Sequence, residues 1–354
     1  MMRATLKRNL NKLTTKGGEM NLKLRVVFSI IAIVSLALAL TPGVAFAASS
    51  GSTPGSFSCG NVTPTVSAPV PGDSVITPEI PNTITIPVTD PNTLADIESI
   101  TIHIYFDDDG TYVGGSYPGA VDAQHYAILE WTPDGGWTIT QEGTTWAIDA
   151  ANCSTPDLGS TSGSFVFSYI PGTVAEWTSD GSDISEWNIY VEVFDGTATG
   201  TSYTEDIEMA WYGAVTVLDG VYWGTVTPGM VYAEGAPSEV ADISVNYVCN
   251  GAYDEQIAAS GTWTGATYSA TLDPTEAVDS ANEFALRADD DGTLDGAVVV
   301  NTAPDNYTAI DDTGTITEEI GDTIDINSIW LKLSATFDSD TYAGTIFYQI
   351  AQGS

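Results

Sequence analysis

The chain has 354 residues, with 47 Asp and Glu against nine Lys and Arg, a formal net charge of −38. Residues 1–47 hold seven of the nine cations (Arg3, Lys7, Arg8, Lys12, Lys16, Lys23, Arg25) and one acid, Glu19, so the remainder has two cations, Arg287 and Lys332, against 46 acids, or −44. Such a surface repels phosphate backbones and anionic lipid, which excludes nucleic acid as a partner. Its aromatic content, 10%, and its many alternating apolar runs exclude a disordered acidic chain.

The N-terminus reads as an export signal. Lys23 and Arg25 lead an apolar run from Val26 to Leu40, Thr41-Pro42-Gly43 breaks it, and Ala45-Phe46-Ala47 offers small residues for cleavage after Ala47. The run is shorter than the ~20 residues that span a bilayer, so no membrane insertion is expected after cleavage. An uncleaved anchor is the alternative, and Met20 is a possible start, since Met20–Ala47 is a complete signal by itself. The expected location is secreted, at the cell surface. Residues 48–75, rich in Ser, Thr, Pro and Gly, read as a flexible tail and a possible donor strand for a neighbour's sheet.

Short alternating strands follow, punctuated by Gly, Asp and Pro. In ESITIHIYF, Ile100, Ile102, Ile104 and Phe106 point one way and Thr101, His103 and Tyr105 the other. Phe165, Phe167 and Tyr169 share a face, as do Trp187, Ile189, Val191 and Val193, and then Ile207, Met209 and Trp211. After a boundary placed near Gly213, Ile243, Val245 and Tyr247 point inward, and a closing strand alternates Ile346, Tyr348 and Ile350 with Phe347 and Gln349. No stretch keeps a helical period for three turns. The expected fold is all-β: two tandem β-sandwich, Ig-like domains at 76–213 and 214–354.

IPVTDPNTLADIESITIHIYF and WNIYVEVFDGTATG resemble Ig-like or cadherin-like modules of secreted prokaryotic proteins. GTVTPG, ISVNYVCNGAY and IWLKLSATFDSDTYAGTIFYQI resemble the sandwich domains that close many bacterial and archaeal surface proteins. The resemblance implies a structural role in a surface layer, an adhesin or an extracellular filament, with copies of itself or neighbouring surface proteins as partners. It carries over no catalytic residue. Asp90 in VTDPN and Asp195 in VFDG resemble acids that line calcium sites at the ends of such modules.

The run DDDGT occurs twice, at Asp107, Asp108 and Asp109 and at Asp289, Asp290 and Asp291, with Asp295 following the second. Calcium takes six to eight oxygen ligands, largely carboxylate, so clustered Asp beside a Gly turn provides the donors for a calcium site. Asp-Gly equally serves a tight turn between strands. DSDTYAG and AIDDTG are weaker copies.

Catalysis is hard to build from His103 and His125 alone, and GxSxG, HExxH, P-loop and CxxC motifs are absent, so the chain reads as no enzyme. A glycosidase working through paired carboxylates is the third class considered. Trp131 and Trp137 flank the turn TPDGG, with Trp146 close behind, and are candidates for stacking on a polysaccharide; the alternative function is therefore a monomeric adhesin or carbohydrate-binding module. Of the three cysteines, a Cys59–Cys153 disulfide would staple the tail to the first domain, leaving Cys249 buried or bridging two molecules. Asn61, Asn152 and Asn306 sit in N-glycosylation patterns. Lys332 is expected to face away from the core, which disfavours an internal isopeptide cross-link.

Overall fold

The computed structural model describes residues 54–111, 117, 125–140, 145–178, 185–314 and 323–353. The expected export signal, its expected cleavage site and the first residues of the expected tail lie outside the described residues. Contacts divide the chain into two units, Met1–Cys59 and Gly60–Ser354. Of the first, residues 54–59 form neither helix nor strand and are exposed. Among the described residues there is no α-helix, and no helix is long and apolar enough to cross a membrane.

The second unit is all-β, as its two-residue periodicity requires. Its first half contains β1 (Thr65–Val66), β2 (Val70–Pro71), β3 (Val75–Ile76), β4 (Asn82–Thr89), β5 (Ser99–Asp107), β6 (Tyr126–Thr132), β7 (Gly136–Ile139), β8 (Ala147–Ile148), β9 (Ser162–Ile170), β10 (Glu186–Phe194) and β11 (Thr199–Met209). One sheet has the order β1-β4-β9-β8, with β2 also on β4; the facing sheet runs β3-β11-β10-β5-β6-β7. Between them lie Ile84, Ile86 and Val88, Ile100, Ile102 and Ile104, Phe165, Phe167 and Tyr169, and Trp187, Ile189, Val191 and Val193, the inward faces that strand alternation sets.

The second half contains β12 (Gly213–Val217), β13 (Glu239–Cys249), β14 (Tyr253–Ala259), β15 (Thr262–Thr264), β16 (Ser269–Leu272), β17 (Glu283–Asp289), β18 (Val298–Val299), β19 (Asn301–Thr302), β20 (Thr308–Gly314), β21 (Thr323–Leu333) and β22 (Ile346–Gln352). A sheet ordered β12-β13-β21-β17-β16-β15, with β18 on β17, faces a smaller one in which β14 pairs with β19, β20 and β22. Ile243, Val245, Tyr247, Ile257, Phe284, Leu286, Ile329, Leu331 and Tyr348 fill the second core.

Much of the stretch expected to be a free tail is not free. Thr65 and Val66 pair with Thr89 and Val88, Val70 and Pro71 with Thr85 and Ile84, and Val75 and Ile76 run parallel to Glu208 and Met209. Val66 and Ile76 are buried in the first core. This segment therefore touches both sheets in turn. Gly200 makes room for it, since a Cβ there would lie 2.1 Å from the Pro64 carbonyl oxygen. A Ser/Thr/Pro-rich composition hides such strands because each is only two residues long and proline suits an edge.

The two sandwiches meet at Asn250, which is wholly buried. Its Nδ2 donates to the carbonyls of Ala175 (2.8 Å) and Ala210 (2.9 Å), and its Oδ1 accepts from Tyr212 N (2.6 Å). Its backbone N donates to Tyr212 O, and its carbonyl accepts from Trp177 N. Trp211 Nε1 donates to Ala252 O at 3.1 Å, and Tyr212 OH to Glu79 at 2.9 Å. One carboxamide thus satisfies three main-chain groups of the first half, that of Ala175 fully buried and those of Ala210 and Tyr212 half-buried. Asn250→Ala is expected to lower stability by about 2–4 kcal/mol, because it orphans those groups. Scanning calorimetry should then resolve two melting transitions where the natural chain shows one.

Candidate metal loops and buried polar sites

Each DDDGT run leaves the end of a central strand, and the two fold alike. Asp107 closes β5 and is buried; its Oδ1 accepts from the backbone N–H groups of Asp109 (3.4 Å) and Thr111 (3.1 Å). Asp109 Oδ1 also accepts from Thr111 N, and Gly110 takes φ 68°. Asp289 closes β17, where its Oδ1 accepts from Asp291 N (2.9 Å) and Thr293 N (3.2 Å), and Gly292 takes φ 74°. The runs are tight turns whose first aspartate takes the amides that the turn leaves unpaired.

Their carboxylates differ. Asp107, Asp108 and Asp109 each place one oxygen within 4.8 Å of the others, and among the described residues they alone form such a group of three. In the second loop Asp291 takes the Thr293 hydroxyl (2.7 Å), and it is the main-chain carbonyl of Asp295 that receives that hydroxyl's contact (3.2 Å). Asp289, Asp290, Asp291 and Asp295 do not gather in the same way. Burial, and then the shared contact with Asp291, push the Asp289 carboxyl up to about 6.

At one end of the first sandwich Asp90 and Asp195 organise the chain. Asp90 Oδ1 accepts from Asn92 N (2.8 Å), and Asn92 Oδ1 accepts from Val62 N (2.8 Å). Asp195 accepts from Thr197 N, Ala198 N and Asn61 Nδ2. Desolvation opposes its ionisation, but these donors outweigh it and hold the carboxyl below the usual range.

The tryptophans offered as candidates for stacking on a polysaccharide belong to the core. Trp131 and Trp137 pair across the TPDGG turn, ring centroids 6.1 Å apart, so its register puts both on one face of the sheet. That face is the inner one: Trp131 is 3% exposed, Trp137 packs edge-on to Phe167 at 4.4 Å, and Trp146 stacks on Tyr169. Position beside a turn was a poor guide, since the register of a hairpin and not its tip decides which face a ring takes. Of the disulfide candidates, Cys59 is an exposed thiol and Cys153 a half-buried one with its Sγ bonded to the backbone of Ser168.

His103 lies on the outer face of its sheet, as its place in the strand requires, yet only 6% of it is exposed. It stacks on Tyr117 (4.0 Å), bonds Tyr126 OH through Nδ1, and faces Glu192 at 3.5 Å. Burial lowers its pKa, against the pull of Glu192. His125 faces Glu176 at 3.6 Å.

Arg287 and Lys332, the only cations beyond residue 47, converge on Glu276. Arg287 forms a fork to its carboxylate (2.6 and 2.9 Å), and Lys332 Nζ donates to its carbonyl. Lys332 therefore points away from the core, as expected.

Two polar residues that carry structure were not singled out by sequence. Asn250 reads as part of an Asn-Gly turn. Glu255 sits between Tyr253 and Ile257 on the inward side of β14, and that alternation was its one available signal. It is wholly buried, and Asn327 Nδ2 donates to its Oε1 at 2.7 Å.

No protein-family model matches the chain, and no curated protein matches it in sequence. A solved structure titled "Chaperone-tip adhesin complex is vital for synergistic activation of CFA/I fimbriae biogenesis" aligns over 71% of this chain and 85% of its own, at 10% identity and a TM-score of 0.22. A likeness that slight carries no argument about function.

Burial pushes Glu255 up to about 8, and burial with a bond shared with Asp206 pushes Glu186 up to about 7. Each group, with Asp289, holds its proton to a higher pH folded than unfolded. Their burial is without penalty below about pH 4, and the penalty grows until pH passes the folded value. Asp195, Asp273 and Asp340 are shifted down, and their contribution is lost as pH falls below the unfolded value. The melting temperature in chelator is therefore expected to peak near about pH 5 and fall toward pH 8, with Glu255→Gln flattening the alkaline limb. A set of melting curves across that range checks it.

Proposed function

We propose that the chain is an exported, non-enzymatic structural subunit of a cell-surface layer or extracellular filament, assembled by strand addition between copies, with calcium bridging acidic faces at the Asp107–Asp109 loop. The observation that carries this reading is the segment from Thr65 to Ile76. It lies on its own sandwich through three pairings of two residues each, yet buries Val66 and Ile76. A segment held by so few ladder bonds, and inserted at the edges of both sheets, is exchangeable with the identical segment of another copy, which reproduces every contact at no cost in complementarity. The long-range repulsion of so acidic a chain makes a divalent cation, or screening salt, a condition for close approach of copies.

Thr65 and Thr89 are register partners, so a Thr65→Cys/Thr89→Cys chain with its three natural cysteines replaced has a geometry fit for a disulfide. Under oxidation in millimolar calcium, exchange between copies gives covalent ladders on a non-reducing gel; addition within one copy gives monomers alone. Sedimentation velocity of residues 48–354, with chelator and then calcium, is expected to show growth into large species. Monomers in both experiments would replace this reading with the monomeric adhesin.

A further inference from the structure

The core of the second sandwich contains an oxygen cage that the proposed function does not use. Glu255 on β14, Asn327 on β21 and Tyr247 on β13 are wholly buried, and Tyr348 on β22 is 8% exposed. Glu255 Oε2, Asn327 Oδ1 and the hydroxyls of Tyr247 and Tyr348 are out of reach of solvent and have no partner at full hydrogen-bond geometry, although the Tyr247 hydroxyl lies near enough to Glu255 to favour its charged form. They are neighbours. Asn327 holds the other oxygen of Glu255, the Tyr247 hydroxyl and the Asp325 carboxyl come within reach of the Glu255 carboxyl, and Tyr348 lies close enough to feel its charge. Asp325, half-buried, is two residues before Asn327 on the same side of β21.

A buried carboxyl group either keeps its proton or, once charged, is paired with a cation or coordinates a metal. The chain has no cation for this site, because Arg287 and Lys332 are both committed to Glu276. The donors are oxygen alone: two carboxylates, one carboxamide and two phenols, a set that suits a hard cation and not a soft one. Two carboxylates, once ionised, match a divalent charge, and if either binds through both of its oxygens the five residues supply the six or more oxygens that calcium takes, in a looser geometry than the strict octahedron of magnesium. We propose that Glu255, Asp325, Asn327, Tyr247 and Tyr348 form an internal calcium site that ties the two sheets of the second sandwich together. This site is separate from the Asp107–Asp109 loop and binds within one copy, so it stands or falls independently of assembly.

The test is calorimetric titration of chelator-treated residues 48–354 with calcium chloride, at a concentration where the chain is monomeric. Both DDDGT loops are first neutralised by Asp→Asn changes at 107, 108, 109, 289, 290 and 291. The loop-neutralised chain is expected to bind a single calcium ion and to melt about 5–10 °C higher in millimolar calcium than in chelator. Adding Glu255→Gln should remove both effects while leaving the melt in chelator unchanged or raised. Tyr348→Phe in the natural sequence keeps the ring and its packing, needs no loop change, and is expected to weaken one class of calcium site ~10-fold. A loop-neutralised chain that binds no calcium, or isotherms unaltered by Glu255→Gln and Tyr348→Phe, would overturn the site and leave an acid pair sharing a proton.

Discussion

A charge of −44 on the residues beyond 47, carried with two cations, is the constraint under which every part of this fold is built. Salt bridges cannot offset it, because both cations are already held by one residue. The structure answers with main-chain amides. Asp107 and Asp289 take the N–H groups of their turns, Asp195 those of Thr197 and Ala198, Asp273 those of Thr275 and Val278, and Asp340 those of Thr267 and Tyr268. An amide is a partial positive charge with fixed direction, so an aspartate one or two residues from a strand end satisfies a turn and is itself stabilised. Where a basic protein would lock its loops with Arg, this one locks them with the backbone. The acidic content is thus part of what shapes the turns as well as a surface property.

The exceptions are the polar groups placed where amides cannot follow. Asn250 is neutral and makes its bonds to carbonyls and an N–H of the first sandwich, joining two cores that share few side chains. Glu255 lies inside the second core and ends with one oxygen unmet. Both lie within about one strand of each other along the chain, on either side of the turn that leads from β13 to β14. A short stretch, from Cys249 to Ile257, therefore sets both the junction of the sandwiches and the polar interior of the second.

Strand alternation made the two cores legible in the sequence. Ile100, Ile102 and Ile104, Phe165 and Phe167, and Ile243, Val245 and Tyr247 all point as the two-residue period demands. Alternation assigns a face but does not say what covers it. His103 and Tyr105 point away from the core, as alternation requires, and are nonetheless buried; over His103 it is the rings of Tyr117 and Tyr190 that close that side. For the same reason Trp137 could not be placed from its distance to a turn. The strands at Thr65, Val70 and Val75 were hidden by their length, too short for any period to register. Asn250 was hidden because an Asn-Gly pair carries the same signal whether it makes a turn or a joint. The repeated DDDGT runs were read as either calcium loops or turns; they leave strand ends as turns, while the gathering of three carboxylates in one and not the other depends on side-chain directions that sequence does not hold.

The clamp on Glu276 has a consequence for resistance to digestion. Proteases that cut after basic side chains find two addresses beyond residue 47. Arg287 is paired in β17 between β18 and β21, and Lys332 is paired in β21 against Ala285. Both peptide bonds lie in hydrogen-bonded strands, and both side chains are held by the same glutamate. A protease must draw extended chain out of the sheet before it can cut, so digestion at either address waits on opening of the strands around them. The rarity of cations thus removes most digestion sites, and their placement shields the two that remain.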